Sequence, residues 1–213
     1  MELGLEQMKR LKVEKTMSAL KQNGINPYFA PDKKAAADMV MSMIEPGASV
    51  AFGGSHTIES LGILPQLRSG NYRLFDRKDA SFSPEEKHRL EQESFTADYY
   101  LASTNAVTMA GELYNVDGSG NRVAALNFGP RKVILVVGVQ KIVADLAEAE
   151  KRVRTYVSPA ICMSYGKKTP CAITGVCVDC NSPERVCNLY STIRKQRDRD
   201  RMHLIFVDEM LGF

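Results

Sequence analysis

The sequence predicts an α/β protein in which helices flank a largely parallel sheet. Two observations carry this. Short apolar runs alternate with segments of helical period along most of the chain, the order from which β-α-β units build a parallel sheet. One run, Lys132 to Val139 (KVILVVGV), is almost unbroken and rich in β-branched residues, as a central strand covered on both faces requires.

The elements follow in order. Leu5, Met8 and Leu11, then Val13, Met17 and Leu20, recur at helical spacing and predict an amphipathic helix stopped at Asn23-Gly24. Asp32 can cap a second helix, with Met39, Val40, Met43 and Ile44 as its apolar face and Pro46-Gly47 as its end. Ala48 to Phe52 reads as a buried strand that breaks at Gly53-Gly54, and Ser55 to Leu64 as a short helix. Tyr72 to Phe75 is a second strand. Ser83, Pro84 and Glu86 open the next helix with a capping box.

Asp98 to Ser103 is a third strand. Ala106–Met109 and Gly111–Val116 lead to the turn signal Asp117-Gly-Ser-Gly120, after which Asn121 to Leu126 predicts a returning hairpin strand. After the central strand, Val143 to Val157 is the clearest helix. Leu146, Ala149, Val153 and Val157 share a face, and Glu148 and Arg152 are expected to pair across one turn. A helix is expected from about Cys187 to Lys195, and Met202 to Val207 closes the sheet. One domain over residues 1–213 accommodates all of this, with a cysteine-rich segment at 170–188 ahead of the last strand.

The chain has 213 residues, 44% of them hydrophobic, and a net charge of +3. A core of this size needs no crosslinks. The charge is spread along the chain and makes no case for a nucleic-acid or membrane surface. No apolar run reaches the ~18 residues of a membrane helix. The charged N-terminus lacks an apolar signal core, so a cytoplasmic location is expected, where disulfides are rare.

Ligands of open α/β sheets bind beyond the carboxyl ends of the strands, and three such ends carry suitable chemistry. At the first, Gly53 and Gly54 permit close backbone approach to an anion, and Ser55 and Thr57 add hydroxyls. His56 is an acid–base candidate there. The second holds Asn105, Thr108, Glu112, Asn121 and Arg122. Glu112 and Arg122, facing each other across the expected hairpin, could act as acid–base pair or substrate clamp, or form only a surface cross-strand pair. The third is Lys141, which could meet a phosphate or carboxylate.

Four of the five cysteines, Cys171, Cys177, Cys180 and Cys187, crowd into the segment from Pro170 to Asn188. Four thiolates suit an iron–sulfur cluster or zinc, or they stay free thiols. Cys162 stands apart in sequence and reads as a small buried residue.

The strings FGGSHTIESLGI, AVTMAGELYNVDGSGNRVAALNFGPRKVILVVGVQKIV and PCAITGVCVDCNSPERVCN resemble the LUD domain, the lactate-utilisation protein family, in its short stand-alone branch with a C-terminal cysteine motif. The resemblance implies a Rossmann-like fold related to ribose-5-phosphate isomerase, glucosamine-phosphate deaminase and CoA transferases. It also implies a role in lactate or related organic-acid utilisation, with a small anionic ligand and iron–sulfur or redox partner proteins. It favours an iron–sulfur cluster over zinc at the cysteines, although the ferredoxin-type spacing of larger relatives is absent. Two alternatives stand beside it: an isomerase or CoA-transferase-like enzyme using Glu112, and a non-enzymatic redox- or metal-sensing regulator or assembly subunit. A homo-oligomer is compatible with the sequence.

Overall fold

A computed structural model describes residues 2–77 and 81–213. The first half runs α1 (Glu2–Gln22), β1 (Asn26–Ala30), α2 (Lys33–Met43), β2 (Ser49–Phe52), α3 (His56–Ser60), α4 (Leu64–Ser69), β3 (Arg73–Phe75), α5 (Pro84–Glu93) and β4 (Tyr99–Ala102). It continues with β5 (Ala106–Thr108), β6 (Leu113–Asp117), α6 (Asn121–Asn127), β7 (Lys132–Gly138) and β8 (Ile142–Val143). Then come α7 (Leu146–Arg152), a π-helical turn at Val153–Val157, α8 (Ser158–Ser164), α9 (Pro170–Thr174), β9 (Leu189–Ile193) and β10 (Met202–Val207).

Six strands form a parallel sheet in the order β1-β10-β7-β4-β2-β3. The apolar run of β7 lies inside it, as its composition predicts. Val133, Leu135 and Val137 pack on one face with Val13 and Leu20 of α1 and Leu126 of α6. Ile134 and Val136 pack on the other with Ala36 and Val40 of α2 and Ile58 and Leu67. A second sheet, β8-β5-β6-β9, is covered by Ala149, Val153 and Val157 from α7 and the turn that follows.

The capping predictions hold in detail. Asp32 accepts from Ala35 N at 2.7 Å. Ser83 and Glu86 form a complete capping box at the start of α5.

Five expectations are corrected. Asn121 to Leu126 is helix α6, not a returning strand, because Gly120 turns the chain at φ 85° and Asp117 caps the new helix by accepting from Val123 N at 2.7 Å. The hairpin is instead β5–β6, turning at residues 109–112. The segment after Cys187 is strand β9, antiparallel to β6; the aromatic Tyr190 and the β-branched Thr192 and Ile193 suit a strand better than a helix.

Strand β1 escapes the sequence pattern because Pro27 interrupts it. Proline is tolerated there because β1 is an edge strand. It pairs in parallel with β10, and Tyr28 Oη meets His203 Nδ1 at 3.1 Å. In α1 only the later apolar residues pack: Val13 and Leu20 are buried, while Leu5, Met8 and Leu11 are exposed. Glu148 and Arg152 do not pair. Glu148 accepts from Ala144 N, and the Arg152 guanidinium lies over the Tyr156 ring. Among the described residues no helix is long and apolar enough to cross a membrane.

Candidate functional site: a cationic cleft over the strand ends

The segments leaving β2, β4 and β7 converge, together with the residues after β10, on a cleft of about 840 Å³. Its floor is polar although the sheet below it is apolar. The double glycine after β2 explains how the chain gets there. A Cβ on Gly53 would lie 2.9 Å from Tyr100 Oη, and one on Gly54 would lie 3.1 Å from an Arg77 nitrogen, so side chains at either position would crowd the turn. Ser55 then caps α3 by accepting from Ile58 N at 3.3 Å. The N–H groups of Gly54, Ser55, His56 and Thr57 meet no protein acceptor among the described residues.

Lys141 is the centre of this floor. The tight turn Val139–Lys141 at the end of β7 delivers it inward, leaving the residue only 3% exposed. Its Nζ donates to Thr57 Oγ1 at 3.2 Å and to Ser103 Oγ at 3.1 Å. No carboxylate pairs with it among the described residues. Burial, and then the Arg152 and Arg122 cations, push its pKa down to about 7. A buried amine without a counter-ion is driven toward its neutral form.

Arg122 borders the same floor but is occupied. Nε and Nη2 donate to Asp117 Oδ1 at 3.0 and 2.7 Å. Nη1 donates to Ser103 O at 2.9 Å and Asn115 Oδ1 at 2.8 Å. Nη2 also reaches Asn105 Oδ1 at 2.9 Å and Val116 O at 3.1 Å. Every N–H direction of the guanidinium is used within the protein. Arg122 therefore ties together the ends of β4 and β6 and the start of α6. Asn105 takes part in that clasp, since its Oδ1 also accepts from Val116 N at 2.8 Å.

The walls add charge and aromatic surface. Arg77 pairs with Glu91, which also accepts from Asn121 Nδ2 at 3.0 Å. His56 lies between the Tyr165 ring, 5.6 Å away, and the edge of Phe213, 5.2 Å away, and its Nε2 is buried without a hydrogen-bond partner among the described residues. Pro84, Lys87, His88 and Glu91 present one face of α5 to the cleft, and Lys167 closes the far side.

Of the residues the sequence singles out, Gly54, Ser55, Thr57, Asn105, Asn121, Arg122 and Lys141 line the cleft. Gly53, Thr108 and Glu112 do not. Glu112 sits at the β5–β6 turn, where it accepts from Thr108 Oγ1 at 3.2 Å and pairs with Arg194 at 3.2 Å. It does not face Arg122, because Arg122 belongs to a helix and not to a hairpin strand. The sequence reading missed the α5 face, Tyr165, Lys167 and Phe213. The spacing of Pro84, Lys87, His88 and Glu91 was visible, but a polar stripe on a helix is normally solvated.

The four cysteines of the segment do not gather into one metal-holding group among the described residues, although Cys187 comes near enough to Cys162 to help raise its pKa. Cys171 is buried in α9, with Thr169 Oγ1 3.3 Å from its sulfur. Cys162 does not stand apart: it hydrogen-bonds with Cys171, and burial pushes its thiol up. Cys177 lies against Arg154, and Arg185 binds the Cys180 carbonyl. Among the described residues, no group of three or more His, Cys, Asp or Glu side chains is arranged to hold a metal. In this arrangement the described side chains do not present three ligands to a zinc ion or iron–sulfur cluster.

A parallel sheet with a polar cleft over its strand ends defines an open-sheet α/β protein, the class in which ligands generally bind beyond the carboxyl ends of the strands. The chain belongs to the LUD domain family, whose model matches residues 13–207. A crystal structure of a DUF162 family protein from Deinococcus radiodurans shares the fold, with a TM-score of 0.54 and 12% identity over 93% of this chain and 98% of that one. No curated protein matches the chain significantly.

Proposed function

We propose that the cleft binds a small organic acid and that the protein acts in lactate or related organic-acid utilisation. The observation that carries this is Lys141, a buried amine on the cleft floor held only by hydroxyls. With its pKa near 7 the amine takes up a proton readily, and a ligand carboxylate would supply the counter-charge for that protonated form. The unbonded N–H groups from Gly54 to Thr57 would add donors beside it. Family membership agrees with such a role.

Glu112 lies outside the cleft, so its position gives no support to an isomerase or CoA-transferase-like use of that carboxylate. A metal at Cys171, Cys177, Cys180 and Cys187 would require the 170–188 segment to rearrange.

The test is thermal stabilisation by L-lactate, pyruvate and glycolate, with propane-1,2-diol as the neutral comparison. A ligand that binds only the folded state raises the melting temperature with its concentration. The acids should stabilise the wild type and lose that effect in Lys141→Met. Equal effects of acid and diol, or full retention in the variant, would overturn the proposal.

A further inference from the structure

We propose that Lys141 condenses with the carbonyl carbon of a 2-oxo acid bound in the cleft, forming an imine. This rests on the organic-acid reading of the cleft and names the substrate class and the reacting atom.

Hydrogen-bond directions make the case. The Thr57 hydroxyl donates to Leu211 O at 3.2 Å, and the Ser103 hydroxyl donates to Thr104 O at 3.4 Å. Both hydroxyl oxygens are therefore acceptors toward Nζ, at 3.2 and 3.1 Å. A neutral amine has two N–H bonds and one lone pair. Here the two N–H bonds are spent on Thr57 and Ser103, and the lone pair remains on a nitrogen that lines the cleft. A protonated amine would carry a third N–H with no protein acceptor among the described residues. It would also face Arg122 and Arg152, whose charges disfavour it. The amine is thus held as a nucleophile at neutral pH.

The same surroundings select the substrate. An imine gains a proton, and hence a positive charge, readily. Among the described residues the acidic side chains that line the cleft are already paired, Asp117 with Arg122 and Glu91 with Arg77. A 2-oxo acid brings its own carboxylate, bonded directly to the carbon that Nζ attacks. The step balances within these groups. The nitrogen lone pair bonds to the carbonyl carbon, and the carbonyl π pair passes to oxygen. That oxygen takes up the two hydrogens that nitrogen loses and leaves as water. Ser103 and Thr57, which already hold those hydrogens, are placed to relay them.

The experiment is reductive trapping. The full chain is incubated at neutral pH with pyruvate and sodium cyanoborohydride, then analysed by intact mass and peptide mapping. At that pH ordinary surface amines are protonated. The expected product is heavier by one pyruvic acid less one oxygen atom, with the modification on Lys141, dependent on the reductant and lost in Lys141→Arg and Lys141→Met. Circular dichroism checks that both variants fold. Propanal, a neutral carbonyl, tests the nitrogen without the anion.

Pyruvate that stabilises the wild type but leaves no adduct at Lys141 would overturn the condensation while keeping the organic-acid cleft. A propanal adduct at Lys141 without a pyruvate adduct would overturn the 2-oxo acid as substrate class. Labelling spread over other lysines, with Lys141 unmodified, would overturn the nucleophile. Absence of stabilisation by any acid would instead defeat the underlying reading of the cleft.

Discussion

Arg122 and Asp117 close a clasp across the turn that joins β6 to α6: Nε and Nη2 of the arginine donate to one carboxylate oxygen at 3.0 and 2.7 Å. Both side chains are about nine-tenths buried, at 11% and 8% exposed. Breaking a buried pair by removing one partner costs roughly 3–5 kcal/mol. Arg122→Ala should lower the midpoint of urea unfolding accordingly. A variant with wild-type stability but no acid binding would assign the guanidinium to the ligand instead of the fold.

The Lys141 amine gives stability a pH dependence of defined sign. In the unfolded chain it holds its proton up to its ordinary value of 10.5, whereas in the folded protein it releases it near 7. Between these limits the unfolded state binds more protons, so stability rises with pH. Arg122 and Arg152 are the charged groups that face it. Relative to Lys141→Met, the wild type should gain stability from about pH 7 toward pH 10 and show a constant difference below. Parallel curves over that window would mean that the amine is charged in the folded protein.

Glu112→Gln removes a partner of Arg194, whose side chain is 70% exposed. Such a pair is worth about 0–1 kcal/mol. The variant should therefore fold with near-native stability and keep its response to organic acids, measured by the same thermal shift. Loss of that response in a folded variant would return Glu112 to the binding site.

Metal analysis of protein purified without oxygen tests the cysteine segment. The conformation described here should carry no stoichiometric zinc or iron, with Cys180→Ser no different from wild type. About one zinc, or iron with matching labile sulfide, lost in Cys180→Ser, would show that residues 170–188 refold around a centre.

The large sheet was legible where burial alone dictated composition. Strand β7 is apolar on both faces and needed no context. Helix α6 was not legible, because Val123, Ala124, Ala125 and Leu126 satisfy either period, and the choice was made by Gly120 and the Asp117 carboxylate. Lys141 could be nominated from its place after the central strand. Its environment could not: Thr57 and Ser103 approach it only once β2, β4 and β7 are in register, and the exclusion of carboxylates is a property of the assembled floor. Arg122 was nominated for its chemistry, but the residues that occupy its donors come from three separate strand ends.

The pairing of β1 with β10 bears on how the molecule reaches this state. Tyr28 and His203 lie 175 positions apart in the chain, so β1 can join the sheet only after nearly all of the polypeptide is available. Pairings this distant close slowly, since a long loop must be ordered before the contact stabilises anything. Until then β10 has an open edge whose unpaired backbone groups can recruit another molecule. Refolding at high protein concentration should therefore lose material to aggregation, and dilution should recover it.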